Sequence, residues 1–344
     1  MPDLDPSRWR SLTVELRDAD FSFLLHHPSR YTHLRNVSLQ GADDDWTLPS
    51  LYYLPALVYL RLKVTVADGE GVIPSSTHSS LMNPTLRHLA IENFDYRTTL
   101  IAMIDASDVV ETLVISNAVD RQHHTAGIPT TFERLHSLTL QEPLHHPGTD
   151  QSYQSNVVRY LWMWRFPSLK KLCVDYCRQH GPNPTTSEIG DNPLLHRPEI
   201  ANQLTYLRLC HHSGPLTANI TLISQMASLA HLALYNPETA QLKVEAVDDV
   251  LGEALDIVSD TLEKHSGPAS FPSLTRFDYF TPNIRAAAVF PPYFRFILAV
   301  WRKSTHTEFF CRFPRSVGDF IQHVLDESGG LVVVCDLENV SDLY

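Results

Sequence analysis

The chain has 344 residues, 43% of them hydrophobic, and sets 27 Lys and Arg against 39 Asp and Glu, a formal net charge of −12. Length alone would accommodate about two domains, and the apolar content is that of a globular chain and not a disordered one. The acidic balance argues against a basic nucleic-acid face and against docking on anionic membranes, so neither partner is expected.

No run of 18 uncharged apolar residues is present, and the opening MPDLDPSRWRSL is too acidic and too polar for a secretory signal. Five cysteines (Cys173, Cys177, Cys210, Cys311 and Cys335) are too few, and odd in number, for a disulfide framework. These features place the expected location inside the cell, in cytoplasm or nucleus.

One frame recurs along the chain: apolar, two residues, apolar, one residue, apolar. It begins as Trp9/Leu12/Val14, Leu34/Val37/Leu39, Leu57/Leu60/Leu62, Leu86/Leu89/Ile91 and Val110/Leu113/Ile115. It continues as Leu135/Leu138/Leu140, Leu169/Leu172/Val174, Leu204/Leu207/Leu209, Leu229/Leu232/Leu234 and Leu274/Phe277/Tyr279. The middle positions are 12, 37, 60, 89, 113, 138, 172, 207, 232 and 277, and five of the nine intervals fall between 23 and 25 residues. Alternation within the frame predicts a short strand with its apolar side chains on one face.

Between frames, apolar residues recur at helical spacing over 98–106, 153–165, 217–227, 247–265, 291–303 and 316–327. Pro291 and Pro292 suit a first helical turn, and Gly329-Gly330 a helix stop before a last strand at 331–337. Strand, turn and helix at a period near 25 residues predict parallel strands with crossover helices. An ordinary doubly wound α/β domain is the competing architecture; the regular period and the lack of a glycine-rich phosphate loop count against it.

The frames LRNVSL, LVYLRL, LRHLAI, LHSLTL, LKKLCV, LTYLRL and LAHLAL resemble leucine-rich repeats. With FPSLKKL (166–172), FPSLTRF (271–277) and the opening SRWRSL, they look most like the repeat region of fungal F-box proteins. That resemblance implies an α/β leucine-rich-repeat solenoid, a horseshoe of about ten irregular repeats with strands on the concave face and helices on the convex face. Residues 1–290 would form the solenoid, and 291–344 an irregular closing unit of the same solenoid that covers the last repeat. It also implies substrate selection for a cullin-type ubiquitin ligase. The F-box itself is not seen: only eight residues precede Trp9, so an adaptor of that ligase is an expected partner only if an F-box lies upstream.

In such a solenoid the residues between the frame positions form one continuous face, and a protein partner is expected there. Its expected contact residues are Tyr59, Arg61, Lys63, His88, Glu92, Lys171, Asp175, Tyr206, Arg208, His231 and Tyr235. Tyr and Arg are the types most enriched at binding hot spots, which singles out Tyr59, Arg61, Tyr206, Arg208 and Tyr235. A solvated face with incidental aromatics is the plainer alternative for any one of them. The Pro- and Gly-rich stretch 178–203, and the shorter 64–85 and 119–131, are expected to be loops that carry specificity or neutral insertions.

Eighteen histidines include the pairs His26-His27, His123-His124, His145-His146 and His211-His212, but neighbours on a strand point to opposite faces and do not converge on a metal. The nearest thing to a metal set is Cys173, Cys177 and His180 with Cys210, His211 and His212, better explained by side chains packing between strands and by loop histidines. Pairings such as Cys210 with His231 or Cys173 with His88 offer an enzyme reading, without any recognised nucleophile or zinc-protease motif around them. The expectation is therefore a non-catalytic binding protein with no cofactor and no metal. A stand-alone repeat scaffold without a ligase link is the runner-up, and a Cys/His enzyme or metal protein the minor third.

Overall fold

A computed structural model describes residues 6–16, 28–41, 54–64, 83–92, 106–116, 129–141, 163–175, 197–210, 222–235, 256, 259–260, 271–280, 290–303, 308–315 and 331–337. The chain divides into two compact units, Met1–Leu169 and Lys170–Tyr344.

In the first unit six strands lie side by side in chain order: β1 (Ser11–Leu16), β2 (Asn36–Gly41), β3 (Tyr59–Val64), β4 (His88–Glu92), β5 (Thr112–Ser116) and, past a two-residue β6 (Thr130–Thr131), β7 (Ser137–Gln141). Every pair is parallel and in register frame to frame, so Val37 faces Leu60, Leu60 faces Leu89, and Leu113 faces Leu138. The second unit repeats this with β9 (Lys171–Asp175), β10 (Tyr206–Cys210), β11 (His231–Tyr235), β12 (Arg276–Phe280), β13 (Phe309–Pro314) and β14 (Leu331–Leu337). A side pair joins β6 to β8 (Trp164–Arg165) within the first unit. Twelve parallel strands, six in each unit, are compatible with a repeat solenoid.

The register has a backbone cause. In successive repeats, one carbonyl accepts from two consecutive N–H groups at the start of the next strand. Arg35 O takes Val58 N and Tyr59 N, Val58 O takes Arg87 N and His88 N, and Arg87 O takes Glu111 N and Thr112 N. In the second unit Thr205 O takes Ala230 N and His231 N, and Ala230 O takes Thr275 N and Arg276 N. These bonds set the strand starts at one level and satisfy the backbone where the chain enters each strand.

The frame residues make the core: Leu60, Leu89, Leu138, Leu172, Leu207, Leu232 and Phe277 are all buried. A fourth apolar position precedes many frames by three residues and is buried too, at Tyr31, Leu54, Phe132, Phe166, Met226 and Phe271. It closes a tight turn onto the first frame residue, as in Leu57 N to Leu54 O at 3.0 Å. Asn83 fills that place in one repeat, and its amide replaces the apolar contact by donating to Leu54 O at 3.1 Å and accepting from Thr85 N at 3.0 Å. Phe271 adopts a positive φ of 58°, an uncommon conformation for a bulky residue.

The helix Phe290–Lys303 agrees with the expectation for 291–303. Its Phe296 ring meets Phe271 at 5.4 Å and Phe277 at 5.7 Å, so it packs behind β12 on the side of the frame residues. Arg295 on the same helix pairs with Asp256 at 3.3 Å and with Asp260. The segments 98–105, 153–162, 217–221, 316–327 and nearly all of 247–265 lie outside the described residues. The last residues of the expected helix 153–165 are a correction: Trp164–Arg165 is a strand, stabilised by Trp164 and Phe166 packing on Phe132, each at 5.4 Å. The strand Leu331–Leu337 is found where the sequence places it, whereas β13 has no counterpart among the sequence expectations. At the other end Trp9, Leu12 and Val14 are partly covered and not bare, and Trp9 meets Tyr31 at 6.1 Å. Among the described residues no helix is long and apolar enough to cross a membrane.

Candidate interaction face

Because the strands start level, residues between frame positions fall into rows. In the first unit Tyr59 and His88 are neighbours along the row at the strand starts, half-buried, with rings 6.5 Å apart. Further along the same strands Glu92 collects two cations, Arg61 Nε at 2.7 Å and Lys63 Nζ at 3.8 Å. The hydrogen bond from Arg61 to Glu92 raises the guanidinium's pKa against the opposing effect of burial. Five of the expected contact residues thus form two local groups, in one of which both cations pair with Glu92.

The second unit assembles more. Its strand-start row reads Lys171, Tyr206, His231, Arg276, Phe310 and Val332, one residue per strand from β9 to β14. From Lys171 to Phe310 each meets the next directly or through one buried carboxylate. Lys171 Nζ lies 4.7 Å above the Tyr206 ring, and Tyr206 meets the His231 ring edge-to-face at 4.6 Å. His231 Nε2 donates to Asp278 Oδ2 at 2.8 Å, and Arg276 donates to both Asp278 oxygens at 2.9–3.2 Å. The Arg276 guanidinium then covers the Phe310 ring at 5.1 Å. Beyond it, a hollow of about 380 Å³ is lined by Thr275, Arg276, Glu308, Phe309, Phe310 and Val332.

Asp278 organises this row from the middle row beneath it. Its side chain is 1% exposed, against 20% for His231 and 37% for Arg276. Burial by itself would raise the Asp278 carboxyl; the hydrogen bonds and charges of His231 and Arg276 outweigh that and hold it below the usual carboxylate range. A paired, ionised Asp278 restrains both neighbours, His231 beside the Tyr206 ring and Arg276 over the Phe310 ring.

The middle row departs from expectation. Arg208 is 0% exposed and fully buried, so the idea of an exposed anchor does not hold for it. Its register neighbours Cys173 and Ala233 are both buried as well. Of the remaining expected contacts, Lys171, Tyr206 and His231 belong to the assembled row, while the side chains of Asp175 and Tyr235 lie outside the described residues. Arg276 of the row and Asp278 of the middle row are absent from the sequence expectation, as are Phe310 and Val332. The same alternation applied to the frame Leu274/Phe277/Tyr279 would have found the first two.

Among the described residues no group of three His, Cys, Asp or Glu side chains could hold a metal ion. Cys173 and Cys311 are buried, and burial, followed by the Asp278 charge, pushes the Cys311 thiol well above its ordinary value. Such a thiol is a poor nucleophile. Compared with models of protein families and with curated proteins, the chain matches none.

Proposed function

We propose that the chain is a non-catalytic recognition module, a leucine-rich-repeat solenoid with helices on its convex side and a protein partner bound across its outward strand rows. The observation that carries this reading is the series Lys171, Tyr206, His231, Asp278, Arg276 and Phe310, in which rings and cations hold one another in place before any partner arrives. Large amphipathic side chains with settled rotamers supply contact area at low entropic cost, which favours affinity. The resemblance to fungal F-box repeat regions extends the reading: the partner would be a substrate selected for a cullin-type ubiquitin ligase.

The test is affinity purification of the full-length gene product from its host, beside a Lys171→Ala/Tyr206→Ala variant whose melting is checked. A protein recovered with the native chain and lost with the folded variant supports recognition by this row. Equal recovery by both removes the row from the binding surface. Co-recovery of a cullin and its adaptor supports the ligase role, and a variant-sensitive partner without them leaves a plain binding scaffold.

A further inference from the structure

We propose that the strand-start row of the second unit takes an extended peptide of fixed polarity, with an acidic residue over Lys171 and Tyr206 and an apolar residue followed by a basic one at the Phe310 hollow. This deepens the recognition reading above and rests on it.

The row is electrically lopsided. At the β9 end the Lys171 ammonium lies over the Tyr206 ring and, among the described residues, has no carboxylate partner. A cation on an aromatic face keeps its outward N–H donors for a ligand carboxylate. At the centre the charges of Asp278 and Arg276 meet each other, and His231 spends its Nε2 on Asp278, so this stretch offers rings and not charge. At the far end the hollow combines Phe310 and the exposed Val332, 44% accessible, with Glu308, an exposed carboxylate that pairs with no cation among the described residues. An apolar side chain fits against Phe310 and Val332 in the hollow, and a neighbouring basic residue answers Glu308.

Length agrees with an extended chain. From β9 to β13 are four strand spacings of about 4.8 Å, roughly 19 Å in all. An extended peptide at about 3.3 Å per residue covers that distance in about six residues. Since each row residue comes from a different strand, the peptide crosses the strands instead of adding to an edge.

The experiment is selection from a displayed random peptide library on the full chain and on a Lys171→Glu/Glu308→Lys variant. Both substituted residues are solvent-accessible, and the variant's fold is checked by its melting temperature. The native chain is expected to enrich peptides with Asp or Glu about six residues from an apolar–basic pair. The swapped chain should enrich the opposite polarity and bind a synthetic native-type peptide at least about tenfold more weakly. Enrichment without charge order, the same order from both chains, or no enrichment at all overturns the proposal. A partner whose capture depends on Tyr206 but ignores the charge swap overturns the polarity and leaves the recognition reading standing.

Discussion

His231 on β11 and Asp278 on β12 stand one strand apart and one level apart, and their 2.8 Å hydrogen bond ties the strand-start row to the middle row. Asp278 is the only one of the three linked groups that is fully buried, which makes the triad asymmetric. Removing the carboxylate leaves His231 and Arg276 able to reach water. Removing Arg276 leaves a buried carboxylate held by His231 alone. Arg276→Ala is therefore expected to cost more than Asp278→Asn, about 2–4 against about 1–2 kcal/mol. Urea unfolding of the two variants checks the order; the reverse order would mean that the carboxylate is stabilised mainly by His231.

The same carboxylate gives a pH signature. Its folded pKa lies below its unfolded value, so the unfolded state takes up the proton first as pH falls. The stability it supplies is complete above the ordinary carboxylate range and is lost as pH drops toward its lower folded value. The stability gap between the native chain and Asp278→Asn should stay constant at neutral pH and close below about pH 4. Denaturation midpoints of both chains at pH 7, 5 and 3 test this. A gap that is unchanged at pH 3 would show that the native-state ion pairs do not set it.

The frames were legible because each carries three apolar residues at fixed spacing, and burial of residues such as Leu207 and Leu232 follows directly from that alternation. The fourth apolar position was less visible. Asn83 fills it with an amide and Tyr31 with a phenol ring, so no single residue type marks it. Strand β13 reads Phe-Phe-Cys-Arg-Phe-Pro, where Phe309, Cys311 and Phe313 alternate as a strand should but lack the leading Leu of the repeat. The rows themselves follow from frame alignment, which is why Lys171, Tyr206 and His231 could be named together. The burial of Arg208 could not be read in that way. It is a matter of how the side chain packs, which the alternation within a single frame does not encode.

Arg208 and Tyr206 should accordingly separate stability from binding. Arg208→Ala removes a buried side chain and the contacts of its long stem, an expected loss of about 2–4 kcal/mol. Tyr206→Ala removes a half-buried ring, its contact with His231 and its cover by Lys171, about 1 kcal/mol or somewhat more. In partner binding the ranking reverses: Tyr206→Ala weakens it, and Arg208→Ala leaves it close to native below its melting temperature. Thermal melts alongside binding of the captured partner decide the matter. A binding defect in fully folded Arg208→Ala would place the guanidinium in the partner's path.

A last prediction concerns the core of the second unit. Leu232 lies at the centre of the β11 frame, 0% exposed, with Leu207 and Phe277 as register partners on either side. Leu232→Ala opens a cavity that these rigid neighbours fill only in part, at an expected cost of about 2–5 kcal/mol. Val332→Ser, at an exposed position of the row, should stay within about 0.5 kcal/mol. Hydrogen exchange adds a spatial check. In a stack of repeats each strand is stabilised chiefly by its two neighbours, so Leu232→Ala should speed exchange most at β10, β11 and β12, with a smaller effect at β14. Uniform acceleration across β9 to β14 would instead mean that the second unit opens as one cooperative block.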